Sequence, residues 1–391
     1  MLDNLPHLNG DPLWSIIDQF RQDTRNDKMD LIVGVYRDES GKTPIMKVVE
    51  DAEIKLASLA ESKSYRNLSG NLKFNDQIAS FLLGQTIPLK RQCTIQTVGG
   101  TGALRLLADF IYSLSPEATV WNTEPGYVNH RPIMERAGLK VKSFPWIQKD
   151  GELDIETCLF GLEQAKQGDI LLLHGCCHNP TGIDPTHAQW QQFVTLCKVK
   201  GVIPLIDLAY QGFAGTPDED AAGLRLFAQQ LDLVLVATSC SKNMGLYCER
   251  TGAAMIISPN EKNITDVRTL LEQITRTNYS MPPEHGAAIA NLIFDNPERW
   301  LNELSTYRER VKETRRKLSD SLKVLKAPPE FQQIAQQNGM FSILPLSSQQ
   351  VQALREKHAI YAVDTGRVNI AGLKQDQIEG FAKAILDVLG H

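Results

Sequence analysis

Three short apolar runs constrain this chain more than any other feature: DILLLH (169–174), VIPLID (202–207) and LVLVATS (233–239). Each is almost continuously apolar rather than alternating, as a strand covered on both faces must be. Helix-like stretches separate them, among them HAQWQQFVTLCK (187–198). Upstream, ALRLLADFIYSL (103–114) places Leu104, Leu107, Phe110, Ile111 and Leu114 on one helical face, and ATVWN (118–122) reads as a short strand. Buried strands alternating with helices predict an α/β domain built on a largely parallel sheet. The pattern then changes. Residues 298–325 predict one long helix, with Leu301, Leu304, Val311, Leu318, Leu322 and Leu325 at helical spacing and Pro328 and Pro329 ending it. GMFSILP, a helix at 348–357, AIYAV, RVNIAG and a final helix from 374 follow. They predict a smaller second domain, with the long helix as connector.

Composition narrows the class. The 391 residues leave room for two or three domains. A chain 42% hydrophobic and 22% charged is an ordinary globular composition. The net charge of −5, from 41 basic and 46 acidic residues, argues against nucleic acid as a partner. The one basic cluster is Arg308, Arg310, Lys312, Arg315, Arg316 and Lys317, interleaved with Glu309 and Glu313, and it reads as a solvated helix face. Seven scattered cysteines, with Cys176 and Cys177 adjacent and no zinc-type spacing, read as reduced thiols, and no metal is expected. The N-terminus lacks a basic segment followed by an apolar run, and no stretch reaches the ~20 apolar residues that span a bilayer. A cytoplasmic protein with no membrane partner is the expectation.

Four segments carry candidate chemistry. In TVGGTGALR (97–105) a glycine-rich turn enters a helix, where backbone N–H groups and the helix dipole suit a phosphate. Gly100 allows close approach and Thr101 adds a hydroxyl; the competing reading is a plain tight turn. In HGCCHNPTG (174–182), Asn179 precedes a proline and is held extended at a strand end, or is part of a simple Asn-Pro turn. In DLAYQGF (207–213), Asp207 ends an apolar strand, where open α/β sheets bind ligands, with Tyr210 three residues on; a helix-capping aspartate is the alternative. In SCSKNMGLYCERTG (239–252), Ser239, Ser241, Lys242 and Arg250 follow the next strand, whereas a lone lysine is ordinarily surface charge. A single crossover joins the Asp207 and Lys242 strands, so both ends fall on one edge. Lysine, carboxylate, phenol, amide, hydroxyls and arginine together are what pyridoxal phosphate requires.

These motifs, with GDPLWSIIDQF, GVYRDESGKTP, NYSMPPEHGA and GRVNIAGL, occur in an order that resembles the aspartate/aromatic aminotransferases, the class I branch of fold-type-I pyridoxal-phosphate enzymes, nearly end to end. The resemblance implies an α/β large domain on a mostly parallel seven-stranded sheet flanked by helices, with a smaller α+β domain from the two chain ends. In this sequence residues 1–43 would form an N-terminal arm and part of the small domain, 44–308 the large cofactor-binding domain and 309–391 the small C-terminal domain. It implies reversible ping-pong transamination of an L-amino acid, aspartate or aromatic, with 2-oxoglutarate, through a Lys242 aldimine and pyridoxamine phosphate. Lys242 would also shuttle the proton. Asp207 would pair with the pyridine nitrogen, and Tyr210 and Asn179 with the ring O3′. Gly100, Thr101, Ser239, Ser241 and Arg250 would hold the phosphate, joined by Tyr65 of the neighbouring subunit.

Arg367 would take the substrate α-carboxylate, in a geometry suited to a bidentate pair, with Gly34 lining the same pocket. His130 and His174 would stand behind Asp207. Arg276 would reach from the neighbouring subunit to a dicarboxylate side chain, so a homodimer with shared active sites is implied. Two positions depart from the family pattern. Tyr127, in GYVNH, stands where the family usually stacks a tryptophan on the ring. Met281 replaces a small polar residue at the pocket mouth and adds apolar bulk. Val35, Arg37, Thr43 and Thr101 resemble the aspartate type. A preference for aromatic substrates is one alternative. A non-catalytic ligand sensor is another, opposed by the joint presence of Lys242, Asp207 and Arg367.

Overall fold

The structure, a computed structural model, describes residues 12–390 apart from Thr86, Asp150 and Pro259; residues 1–11 of the expected N-terminal arm lie outside the described residues. The chain divides into two compact units, Pro44–Glu309 and the pair of segments Met1–Thr43 with Arg310–His391.

The Pro44–Glu309 unit is built on a seven-stranded sheet. Its strands are β1 (Gln92–Val98), β2 (Thr119–Glu124), β3 (Lys140–Pro145), β4 (Ile170–His174), β5 (Ile203–Leu208), β6 (Val234–Ser239) and β7 (Thr251–Ile257), in the spatial order β1-β7-β6-β5-β4-β2-β3. Strands β3, β2, β4, β5 and β6 pair in parallel, and β7 runs antiparallel to both β1 and β6. All five residues of β4 and all six of β6 are buried, which is why the sequence shows no alternation there. Helix α1 (Gly99–Leu114) packs on β1, β6 and β7, burying Leu104, Leu107, Phe110 and Ile111 in one core cluster. Each such side chain contributes about 2 kcal/mol. Helices α2 (His187–Lys200) and α3 (Ala222–Gln230) form the β4-to-β5 and β5-to-β6 crossovers. Thr186 and Gln189 close a capping box at the start of α2, satisfying two N–H groups that a helix start leaves open. Helix α4 (Glu261–Asn278) follows β7.

Register places the site. His174 lies opposite Asp207, Asp207 opposite Ala237, Ser239 opposite Gly252 and Gly252 opposite Thr97. The ends of β4, β5 and β6 therefore form one edge, beside the start of α1.

The long helix α5 (Glu298–Val324) overturns one expectation. Arg316 and Lys317 are solvated, but Arg315 is 1% exposed and Arg308 9%. Both fall in the helical stripe Leu304–Arg308–Val311–Arg315–Leu318–Leu322, whose other members are core residues. Their charge is tolerated because backbone carbonyls receive it: Arg308 donates to Gly212 and Gly215.

In the second unit, Met29–Asp30 pairs in parallel with Ile360–Tyr361, and β8 (Phe341–Ile343) pairs antiparallel with β9 (Arg367–Asn369). Its core is formed by residues such as Leu318, Leu322, Phe331, Leu354, Phe381 and Ile385. The final helix, α6 (Ile378–Leu389), begins later than expected because Gln375–Gln377 first makes a 3₁₀ turn.

Candidate active site

At the sheet edge of the Pro44–Glu309 unit, Asp207 is the centre of a buried network. Its Oδ2 accepts from His130 Nε2 at 2.8 Å, and the His130 ring lies 4.8 Å from that of His174. His174 in turn packs edge-on to His178 at 4.5 Å, and His178 stacks on Trp146 at 4.6 Å. Burial alone would raise the Asp207 pKa. The His130 hydrogen bond and the nearby His130, His174 and Lys242 outweigh it and hold the carboxyl below its ordinary value. Burial, with His130 beside it, pushes His174 down to about 3, so this ring is neutral at physiological pH. Asp207 Oδ1, like His130 Nδ1 and His174 Nδ1 in the same network, is buried and has no hydrogen-bond partner among the described residues. A buried carboxylate oxygen in that state requires a donor.

Lys242 sits in the turn after β6. Its Nζ lies 5.0 Å from the centre of the Tyr210 ring, which is itself buried. Burial lowers the ammonium pKa; Asp207 opposes that shift and Arg250 adds to it. The turn is anchored by Trp300, whose ring N–H donates to the Asn243 carbonyl at 2.7 Å. On either side, Ser239 Oγ and Ser241 Oγ are bonded at 2.7 Å, and Arg250 Nη1 reaches Ser241 Oγ at 3.4 Å.

Helix α1 begins here without a side-chain cap. Its first residue, Gly99, has φ +66, and its N–H donates to the Arg250 carbonyl at 2.7 Å. A Cβ at Gly99 would run into the Arg250 guanidinium, so glycine allows the arginine to lie against the helix start. Gly100 packs against Ser239, and Thr101 is exposed in the first turn. Hydroxyls, a guanidinium and an uncapped helix N-terminus thus meet at one place, the donor set an anionic phosphate requires.

Asn179 follows β4 and is buried, beside a cis bond to Pro180. Its loop is held by Asp184, which accepts from the N–H groups of Cys177 and His178 at 2.9 Å each. Tyr127 is partly buried and meets His130 edge-on at 5.2 Å.

The structure thus brings together Gly100, Asn179, Asp207, Tyr210, Ser239, Ser241, Lys242 and Arg250, with His130, His174 and Tyr127 around them. It does not bring Tyr65 and Arg276 into this set: Tyr65 is 94% exposed, and Arg276 is exposed in the last turn of α4. Tyr65 and Met281 instead share a surface cavity of about 580 Å³, and Met281 Sδ accepts from the Arg66 N–H at 3.3 Å.

The second unit carries its own polar cluster. Arg367 donates to the Ile32 carbonyl at 2.8 Å, and its guanidinium lies over the Phe341 ring, 4.6 Å from the centroid. Asn369 donates to the Val33 and Val35 carbonyls, holding the segment through Gly34. A Cβ on Gly34 would collide with Phe341.

Several of these residues gave no signal in the sequence reading. His178, Phe341 and Asn369 act through contacts distant along the chain, and Asp184 and Asp220 through backbone N–H groups of their own loops. Asp220 accepts from the N–H groups of Gly212, Ala214 and Gly215, fixing the loop after Tyr210. The HNP context of Asn179 was the available pointer to His178. Among the described residues the seven cysteines form no disulfide.

Comparison with known proteins agrees with this geometry. Residues 26–385 match the family described as aminotransferase class I and II. The chain is 42% identical to an aromatic-amino-acid aminotransferase of Pseudomonas aeruginosa, over 97% of this chain and 96% of that protein. It is 40% identical to an aspartate aminotransferase of Escherichia coli over the full length of both. Its fold matches an aromatic-amino-acid aminotransferase from Burkholderia pseudomallei, solved covalently bound to pyridoxal phosphate, with a TM-score of 0.96, 38% identity and coverage of 100% and 99%. An α/β enzyme with a lysine and a buried carboxylate at the sheet edge is therefore the class this chain falls in. The chain belongs to the class I and II aminotransferases.

Proposed function

We propose that this enzyme exchanges amino groups between L-amino acids of the aspartate or aromatic kind and 2-oxoglutarate, by a ping-pong reaction, with pyridoxal phosphate held at the edge formed by β4, β5 and β6. The observation that carries the assignment of the site is the buried, unspent Asp207 Oδ1, on a carboxyl held below its ordinary pKa and beside Lys242. An anionic oxygen in that position would accept a hydrogen bond from a protonated pyridine nitrogen and so keep the proton on the ring. When bound, pyridoxal phosphate supplies an electrophilic carbonyl and a ring that takes up the electron pair released at the amino acid's Cα.

The chain's own groups do the rest. Lys242 is the residue that would bond the cofactor, and its lowered pKa favours the free amine that a carrier of the Cα proton must present. Tyr210 and Asn179 hydrogen-bond the ring oxygen. Ser239, Ser241, Arg250, Thr101 and the backbone at Gly100 hold the phosphate. Tyr127 covers the ring face, with less area than a tryptophan and with a polar tip. Arg367 binds the α-carboxylate, and the backbone at Gly34 lines that pocket.

Tyr65 and Arg276 serve the neighbouring subunit of a homodimer, Tyr65 at the phosphate and Arg276 at a substrate side-chain carboxylate. Their exposure, and the exposed cavity beside Tyr65 and Met281, support an assembly that covers this surface. Among the described residues no helix is long and apolar enough to cross a membrane, and we place the enzyme in the cytoplasm. The relatives named for aspartate and for aromatic amino acids support both substrate kinds. A panel of amino donors with 2-oxoglutarate, fitted for kcat/KM, tests the reading; turnover with neither aspartate nor an aromatic amino acid refutes it.

A further inference from the structure

Arg315 is a charged side chain for which the reaction outlined above has no use, yet it is almost completely buried in the second unit. Burying a guanidinium is costly unless its donors are satisfied. Here Nε and Nη2 donate to the Gly339 carbonyl at 3.2 and 2.7 Å. Nη1 donates to Ile334 O at 3.3 Å and to Ser342 Oγ at 2.7 Å. Nη2 also donates to Asn338 O at 3.1 Å and to Phe341 O at 2.6 Å. One guanidinium therefore gathers the carbonyls of the 334–341 segment, which leads into β8. Only a planar fork of five N–H donors can do this; a lysine ammonium has three donors and no plane.

What the segment presents is Phe341. Its ring lies beneath the Arg367 guanidinium and closes against Gly34, while β8 pairs with β9 so that Phe341 faces Asn369 and Ile343 faces Arg367. Asn369 in turn holds the Val33 and Val35 carbonyls. Arg315, Phe341, Arg367 and the Gly34 segment are thus linked without a gap. A guanidinium resting on an aromatic face is restrained to a plane, which leaves its N–H edge aimed for a carboxylate.

We infer that Arg315 is a positioning residue for carboxylate recognition: through the Phe341 carbonyl it seats the Phe341 ring under Arg367 and so fixes the angle at which Arg367 meets a substrate α-carboxylate. The inference rests on the α-carboxylate role proposed for Arg367. It makes a specific demand. Both the amino acid and the oxo acid carry this carboxylate, so disturbing Arg315 must weaken both substrates together and leave the chemical step nearly untouched.

The test is a double-mutant cycle on the holoenzyme, with Arg315→Lys, Arg367→Lys and the double variant, and with Phe341→Leu as a second probe that keeps the Arg315 bonds. Thermal melting and cofactor absorbance establish that each variant is folded and loaded. Expected for Arg315→Lys and for Phe341→Leu is a rise of about tenfold in KM for both substrates, with kcat within about twofold, the scale of a lost cation–π restraint. The double variant should lose much less than the product of the two single effects, because Arg315 acts through Arg367. Multiplying effects, or an unchanged KM in folded Phe341→Leu, overturns the inference even if Arg315→Lys does not fold. Unchanged KM in Arg367→Lys instead overturns the role of Arg367 itself.

Discussion

Replacing His174 with glutamine should change how the protein responds to acid rather than how it behaves at neutral pH. His174 is buried between His130 and His178, and its pKa falls from the ordinary 6.5 to about 3, first through burial and then through His130. The folded state therefore holds a neutral imidazole where the unfolded chain takes up a proton. A depressed folded pKa contributes stability that is complete above the unfolded value and is lost as pH falls from 6.5 towards 3. Integrating between those values, the wild type should lose about 1.4 kcal/mol through this group by pH 5.5, and roughly 2.7 kcal/mol by pH 4.5. Glutamine has no proton to take up, so the variant should lack this component. The assay is urea unfolding at fixed protein and cofactor concentration from pH 7.5 to 4.5, comparing slopes rather than absolute stabilities. Parallel pH dependence of wild type and variant would show that His174 titrates normally and that the network behind Asp207 is not dry.

Three further outcomes are expected. Arg276→Ala should raise KM for aspartate far more than for phenylalanine, by about a hundredfold, the scale of a lost charge-assisted pair; equal losses for both substrates contradict the dicarboxylate role. Mixing Lys242→Ala with Arg276→Ala protein, each nearly inactive alone at aspartate well below its KM, should restore about a quarter of the wild-type rate after subunit exchange, because half the dimers become hybrids with one intact site each. No recovery despite demonstrated exchange counts against shared sites. Asp220→Ala should cost about 3 kcal/mol in urea unfolding, since three backbone N–H groups behind Tyr210 lose their acceptor; a loss under about 1 kcal/mol would mean that the loop repairs itself.

The sequence revealed strands β4, β5 and β6 because burial on both faces leaves an unbroken apolar run. It did not reveal β1 or β7. In β1 the buried residues include Gln92, Thr94, Gln96 and Thr97, which spend their polar groups on local and distant partners such as Pro283. Strand β7 is rich in glycine and alanine. Asp207, Tyr210 and Lys242 were legible because they lie just beyond readable strand ends. The residues that orient them were not, since Asp184, Asp220 and His178 are defined by what they touch. Arg315 shows the limit most clearly. Its neighbours in the chain make it look like surface charge, although its spacing from Leu304, Val311 and Leu318 already placed it on the core face.

Bonding of the cofactor by Lys242 can be read out by borohydride reduction of the holoenzyme followed by trypsin digestion and peptide mass analysis. One modified tryptic peptide is expected, Leu226–Arg250, with the added mass on Lys242 and none in Lys242→Ala. A label on any other lysine, or a Lys242→Ala protein that keeps both the label and full turnover, would contradict it.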